Sequence, residues 1–146
     1  KMCTIVHPNA TLQVTTDIIP IYKIAIRFRK GVYESPFFSS VIILNQLYKT
    51  DITFSDVMNI DLAVPMSVKE TDNFLAFEGY YCKEARKGFH SFLDEETCKS
   101  ELFDKFDPDI TTIFEGYIPV DSLVVYGYNN NIVSDQVIYT KQLCVH

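Results

Sequence analysis

Cys82, His90 and Cys98 stand at even intervals, with seven residues between each neighbouring pair. Thiolates and an imidazole are zinc donors. The spacing matches no short zinc knuckle and no fourth ligand accompanies it, so the pattern reads as a disulfide between Cys82 and Cys98 with an exposed histidine between its arms. Asp104, Asp107 and Asp109 flank Pro108 and offer hard oxygen donors of the kind calcium takes. They lack the glycine and the distal glutamate of an EF-hand loop, and a solvated acidic helix end accounts for them. His7, His90 and His146 are the only histidines, and none falls in a Gly-x-Ser-x-Gly or His-Glu-x-x-His motif. Five glycines are spread along the chain without a phosphate-binding loop. No catalytic residue, metal ligand or cofactor is assigned.

Two other sets of residues suit binding. Lys23, Arg27, Arg29 and Lys30 lie on a segment whose strand period would line the first three along one face as a basic stripe, fit for an acidic partner or a sulfated glycan. Tyr80, Tyr81, Tyr126 and Tyr128 occupy both parities of extended runs, so some of them must leave the core, and exposed tyrosines are favoured contact residues. Arg27, Arg29 and these four tyrosines are the candidate binding residues.

The element that must position them is Ile21 to Lys30, where Tyr22, Ile24, Ile26 and Phe28 alternate with Lys23, Ala25, Arg27 and Arg29. That is the period of a half-buried strand, with the first set expected in the core and the second in water. Strands are also expected at Cys3 to His7, Thr11 to Thr16, Ile52 to Val64, Phe74 to Cys82, Ile110 to Ile118, Leu123 to Tyr128 and Gln136 to Val145. Residues 36–48 fit a strand or a helix, with a lean to strand from the β-branched residues near Val41. Asn129-Asn130-Asn131 is a turn able to take positive φ. Lys83 to Asp107 is charged and almost free of β-branched residues, and is expected to be helical, with Asp94 capping a helix through Phe106 ahead of Pro108. The expected fold is mainly β, one antiparallel sandwich domain over residues 1–146, with seven or eight strands and a short helical insert around 94–106.

Composition narrows the partners. The chain has 146 residues, 47% hydrophobic and 14% aromatic, with no tryptophan, enough to bury one core. A formal charge of -6 argues against nucleic acid, whose phosphates need a basic surface. No apolar run is long enough for a transmembrane helix. Four cysteines, one near each end and two in the middle, suggest an oxidised framework of Cys3 with Cys144 and Cys82 with Cys98. The sequon at Asn9 and a start at Lys1-Met2-Cys3 that is no ordinary initiator agree with a secreted, processed glycoprotein.

The reading by elimination is a secreted binding module that engages another protein through an aromatic, mixed-charge surface, near Phe74 to Phe106 or the Tyr126 to Asn131 turn. A carrier of a lipid or other apolar small molecule between the sheets is the alternative, since 20 aromatic side chains are enough to line a cavity. A secreted enzyme without a recognisable motif comes third.

Overall fold

The computed structural model describes residues 4–36, 41–58 and 81–143, and the backbone alone at 57, 58, 81 and 82. Its strands are β1 (Thr4–Val6), β2 (Gln13–Val14), β3 (Ile19–Arg29), β4 (Val32–Glu34), β5 (Leu47–Lys49) and β6 (Thr53–Met58), then β7 (Tyr81–Lys87), β8 (Phe89–Phe92), β9 (Thr111–Ile118), β10 (Leu123–Tyr126), β11 (Asn131–Ser134) and β12 (Gln136–Leu143), with one helix, α1 (Glu95–Lys105), among the described residues. Every pairing is antiparallel. A small sheet runs β1-β7-β6 and a large one β2-β10-β11-β8-β3-β9-β12-β5, with β4 beside the outer half of β3. The chain is thus mainly β, with antiparallel sheets packed together as in a β-sandwich. The twelve described strands exceed the expected seven or eight.

The large sheet curls upon itself. Val124 of β10 and Val137 and Tyr139 of β12 share one core cluster with Ile21, Ala25, Phe89, Phe114, Ile118 and Ile132, all from this sheet. Five strand spacings separate β10 from β12 in its order, roughly 24 Å if the sheet were flat, so only strong curvature brings these side chains together. The convex side is covered twice. Val6 and Ala85 of the small sheet pack on Val125 and Val133, and Cys98 and Leu102 of α1 pack on Ile24, Phe92 and Ile113.

The helix begins as its residues dictate. The Asp94 carboxylate accepts the Thr97 N–H at 2.9 Å and the Thr97 hydroxyl at 2.7 Å, and Glu95 and Glu96 fill the first turn, where the helix dipole favours them. The helical expectation for Lys83 to Asp107 holds only from Glu95 on, because Tyr81–Lys87 and Phe89–Phe92 are strands. They meet at Gly88, whose φ of 134° suits glycine and whose missing side chain leaves room for Val133. Of the segment 36–48, the described part forms a bridge from Val41 to Glu34 and the start of β5.

The alternation of β3 does not separate core from water. Ile21, Lys23, Ala25 and Ile24 are all buried, and Phe28 is 63% exposed. Both faces of the inner half are covered, one by the curled sheet and one by α1, while the outer half projects beyond the core as a hairpin with β4. Lys23 is therefore a core residue and not part of a basic stripe.

Candidate functional site

The hairpin of β3 and β4 carries the most prominent of the described candidate surfaces. Ile26 pairs with Glu34 and Arg27 with Tyr33, but Arg29 pairs with Val32, so Phe28 is an extra residue on one side of the ladder. A β-bulge of this kind bends the strand and re-aims its side chain, which is why Phe28 departs from the parity that would have taken it into the core. The turn follows at Lys30-Gly31, with Gly31 at φ 76°, a left-handed conformation that glycine adopts at little cost.

Arg27, Phe28, Arg29, Lys30 and Gly31 are all exposed. The Arg29 guanidinium lies 5.8 Å from the centroid of the Phe28 ring, within cation–π range. None of the three cations pairs with a carboxylate among the described residues. The base of the hairpin is anchored, with the Arg27 N–H donating to the Ile110 carbonyl at 2.7 Å and the Tyr33 ring packed edge-on against Phe114 at 5.7 Å. Ile110 is itself 38% exposed, and Asp109 beside it is exposed. Three cations, an aromatic ring, an aliphatic side chain and a carboxylate thus occupy one end of the molecule on rigid support.

Tyr126 is also exposed and lines a cleft of about 220 Å³ with Gln13, Thr15, Asp17 and Ile19. It is not part of the hairpin surface. Ile132 links Tyr126 to Ser91, and Phe92 pairs with Tyr22, so Tyr126 is level with the middle of β3. It lies three strands from it, roughly 14 Å across and 13 Å along from Arg27 at usual strand spacings. Tyr128 is half-buried and its N–H donates to the Ile5 carbonyl at 3.1 Å, tying the turn to β1. Asn129 and Asn130 there take φ of 62° and 58°, as the asparagine run predicts. Tyr80 and the Tyr81 side chain lie outside the described residues.

A second group of functional side chains is internal. Beyond the Tyr22–Phe92 bridge, β3 and β8 share no further ladder pair. The Lys23 ammonium fills the gap, donating to the His90 carbonyl at 2.8 Å. Burial drives the Lys23 pKa down to about 7, with a small opposing effect from Cys98. His90, expected to be exposed, is only 7% exposed. Its Nδ1 lies 2.7 Å from the Thr4 hydroxyl, and burial followed by the Lys23 charge lowers its pKa to about 3. Cys98 is a free thiol in the core, its pKa pushed up to about 12 chiefly by burial. Cys3, Cys144 and the Cys82 side chain lie outside the described residues. No group of three metal-ligating side chains converges among the described residues, and no described helix is long and apolar enough to cross a membrane.

Sequence reasoning found Arg27 and Arg29 and missed Phe28, which it placed in the core by parity. The signal available was local: an aromatic between two arginines, two residues before a Lys-Gly turn. Comparison of the chain with protein-family models, curated proteins and solved structures finds no match in any of the three.

Proposed function

We propose that this protein is an extracellular binding module that engages another protein through the Arg27 to Gly31 hairpin tip. The observation that carries the reading is the bulge that turns Phe28 out, 63% exposed, between cations that have no acidic partner of their own among the described residues. Arginine and aromatic side chains dominate the energetics of protein interfaces. Three cations on a chain of formal charge -6 make the tip a local inversion of sign, which steers an acidic surface toward it and away from the rest of the molecule. The partner surface is accordingly acidic around an apolar pocket for the Phe28 ring. Secretion belongs to the same reading, supported by the sequon at Asn9, which lies exposed in a turn.

The test is selection of peptides from a displayed random library on the wild-type protein and on the Arg27→Glu/Arg29→Glu variant. Wild type is expected to enrich sequences with acidic residues around an aliphatic or aromatic one, and the variant to lose them. Enrichment of the same sequences on both proteins would remove the hairpin from consideration.

A further inference from the structure

Among the described residues the large sheet ends at β2, and the outer side of that strand has no neighbour in the ladder. The direction of its main-chain groups follows from Thr15, whose N–H donates to the Ser122 carbonyl and whose carbonyl accepts from the Asp121 N–H, both at 2.9 Å. Thr15 therefore faces inward. In an antiparallel ladder the direction alternates by residue, so Gln13 faces inward as well, toward Val124 with which it pairs. Leu12 and Val14 then turn their N–H and C=O groups outward.

Natural sheets blunt such an edge with lysine, proline, a bulge or a short strand. Ala10 to Thr16 reads Ala-Thr-Leu-Gln-Val-Thr-Thr, with no charge, no proline and no glycine, and only the shortness of β2 protects it. Leu12 is 40% and Val14 59% exposed, and Leu123, which pairs with Val14, is 36% exposed. The hydroxyl of Thr15 holds the segment in place, donating to the Pro119 carbonyl at 2.7 Å and accepting the Ser122 N–H at 2.9 Å.

We propose that a second copy of this chain pairs with this edge, β2 against β2, antiparallel about a two-fold axis at Gln13. The register is self-complementary. It sets Leu12 opposite Val14 of the partner subunit, and Val14 opposite the partner's Leu12, which are the residues whose main-chain groups point outward, so about four interchain hydrogen bonds form in two bonded pairs. The same pairing joins Leu12, Val14 and Leu123 of the two copies in one apolar strip on one face of the continuous sheet. Thr11 meets Thr15 of the partner subunit on the other face. Because the segment carries no charge, two molecules of formal charge -6 meet at a neutral seam, and the interface is isologous, as a two-fold dimer requires. This inference rests on the β2 edge alone and is independent of the hairpin tip.

Sedimentation from about 10 μM to about 1 mM, the range of small interfaces, tests it with two variants. Val14→Pro removes the outward N–H and leaves the inward ladder to β10 intact. Val14→Lys sets a charge on the seam in each copy. Wild type is expected to pass from monomer to dimer, each variant to weaken the dimer by about tenfold or more, and far-UV circular dichroism to confirm that the sheets persist. Should Val14→Pro disturb the fold, Val14→Lys decides the matter by itself. A wild type that stays monomeric throughout, or a dimer that a folded variant leaves unchanged, overturns the proposal.

Discussion

Replacing Lys23 by methionine is expected to abolish a rise of stability with pH that the wild type shows above neutrality. Folding lowers the Lys23 pKa from 10.5 to about 7. Between those values the unfolded chain holds a proton that the folded protein has released, so the free energy of unfolding increases with pH. Below about pH 7 the cost of burying the amine is present in full, and it disappears as pH rises through 10.5. A shift of about 3.5 units corresponds to about 5 kcal/mol in all. Three groups oppose it at the alkaline end: Cys98, whose pKa rises from 9.0 to about 12, Tyr139, whose pKa is raised by burial, and Tyr22, raised by burial and then by the nearby Glu95 and Glu115. All three stay protonated in the folded protein after the unfolded chain has released the proton, which lowers stability as pH climbs. The cleanest interval is therefore between pH 7 and 9, where Lys23, still half protonated in the folded protein at pH 7, contributes about 2 kcal/mol. Urea unfolding at the two ends of this interval measures it, provided that the slope with denaturant is unchanged. The wild type should gain about 2 kcal/mol from pH 7 to pH 9 and Lys23→Met nothing comparable. The lost hydrogen bond to the His90 carbonyl shifts the variant's stability at both pH values alike, so it does not enter the difference. Equal gains in the two proteins would refute the assignment of Lys23 to the core.

His90 works in the acid range: its pKa falls from 6.5 to about 3 on folding, so stability is lost as pH drops below 6.5, and His90→Gln should move the acid-unfolding midpoint to lower pH, read by tryptophan-free methods such as far-UV circular dichroism. The Cys98 thiol, buried and held protonated to about pH 12, should resist alkylation by iodoacetamide at pH 8 in the native protein and react in urea, with peptide mass spectrometry as the readout; rapid native labelling would contradict its place under α1.

The regular elements were legible because their signals are local. Asp94, Glu95 and Glu96 ahead of a run whose one β-branched residue is Thr97 announce α1, and the alternation in Gln136 to Val145 announces β12. What stayed illegible depends on curvature and on partners distant in sequence. Parity on β3 presumes one wet face, whereas the curled sheet and α1 cover both, and the lysine there donates to the carbonyl of His90, 67 residues away in sequence. Phe89–Phe92 was hidden because its His90 and Ser91 read as surface residues, yet all four side chains are buried. The site was half visible: Arg27 and Arg29 could be named from charge, but the bulge that exposes Phe28 arises from pairing with β4, and the edge at β2 arises from pairing with β10, more than a hundred residues further on.

The central claim is that the hairpin tip is the contact surface for an acidic partner, and the most direct measurement is the affinity of a library-selected acidic peptide, by isothermal titration at rising salt, for wild type, Phe28→Ala and Arg27→Glu/Arg29→Glu. Affinity for wild type should fall steadily with salt as the exposed charges are screened. Phe28→Ala should weaken binding at every salt concentration, and the charge-reversed variant should not bind. Salt-independent binding that survives both substitutions would place the contact surface elsewhere on the molecule.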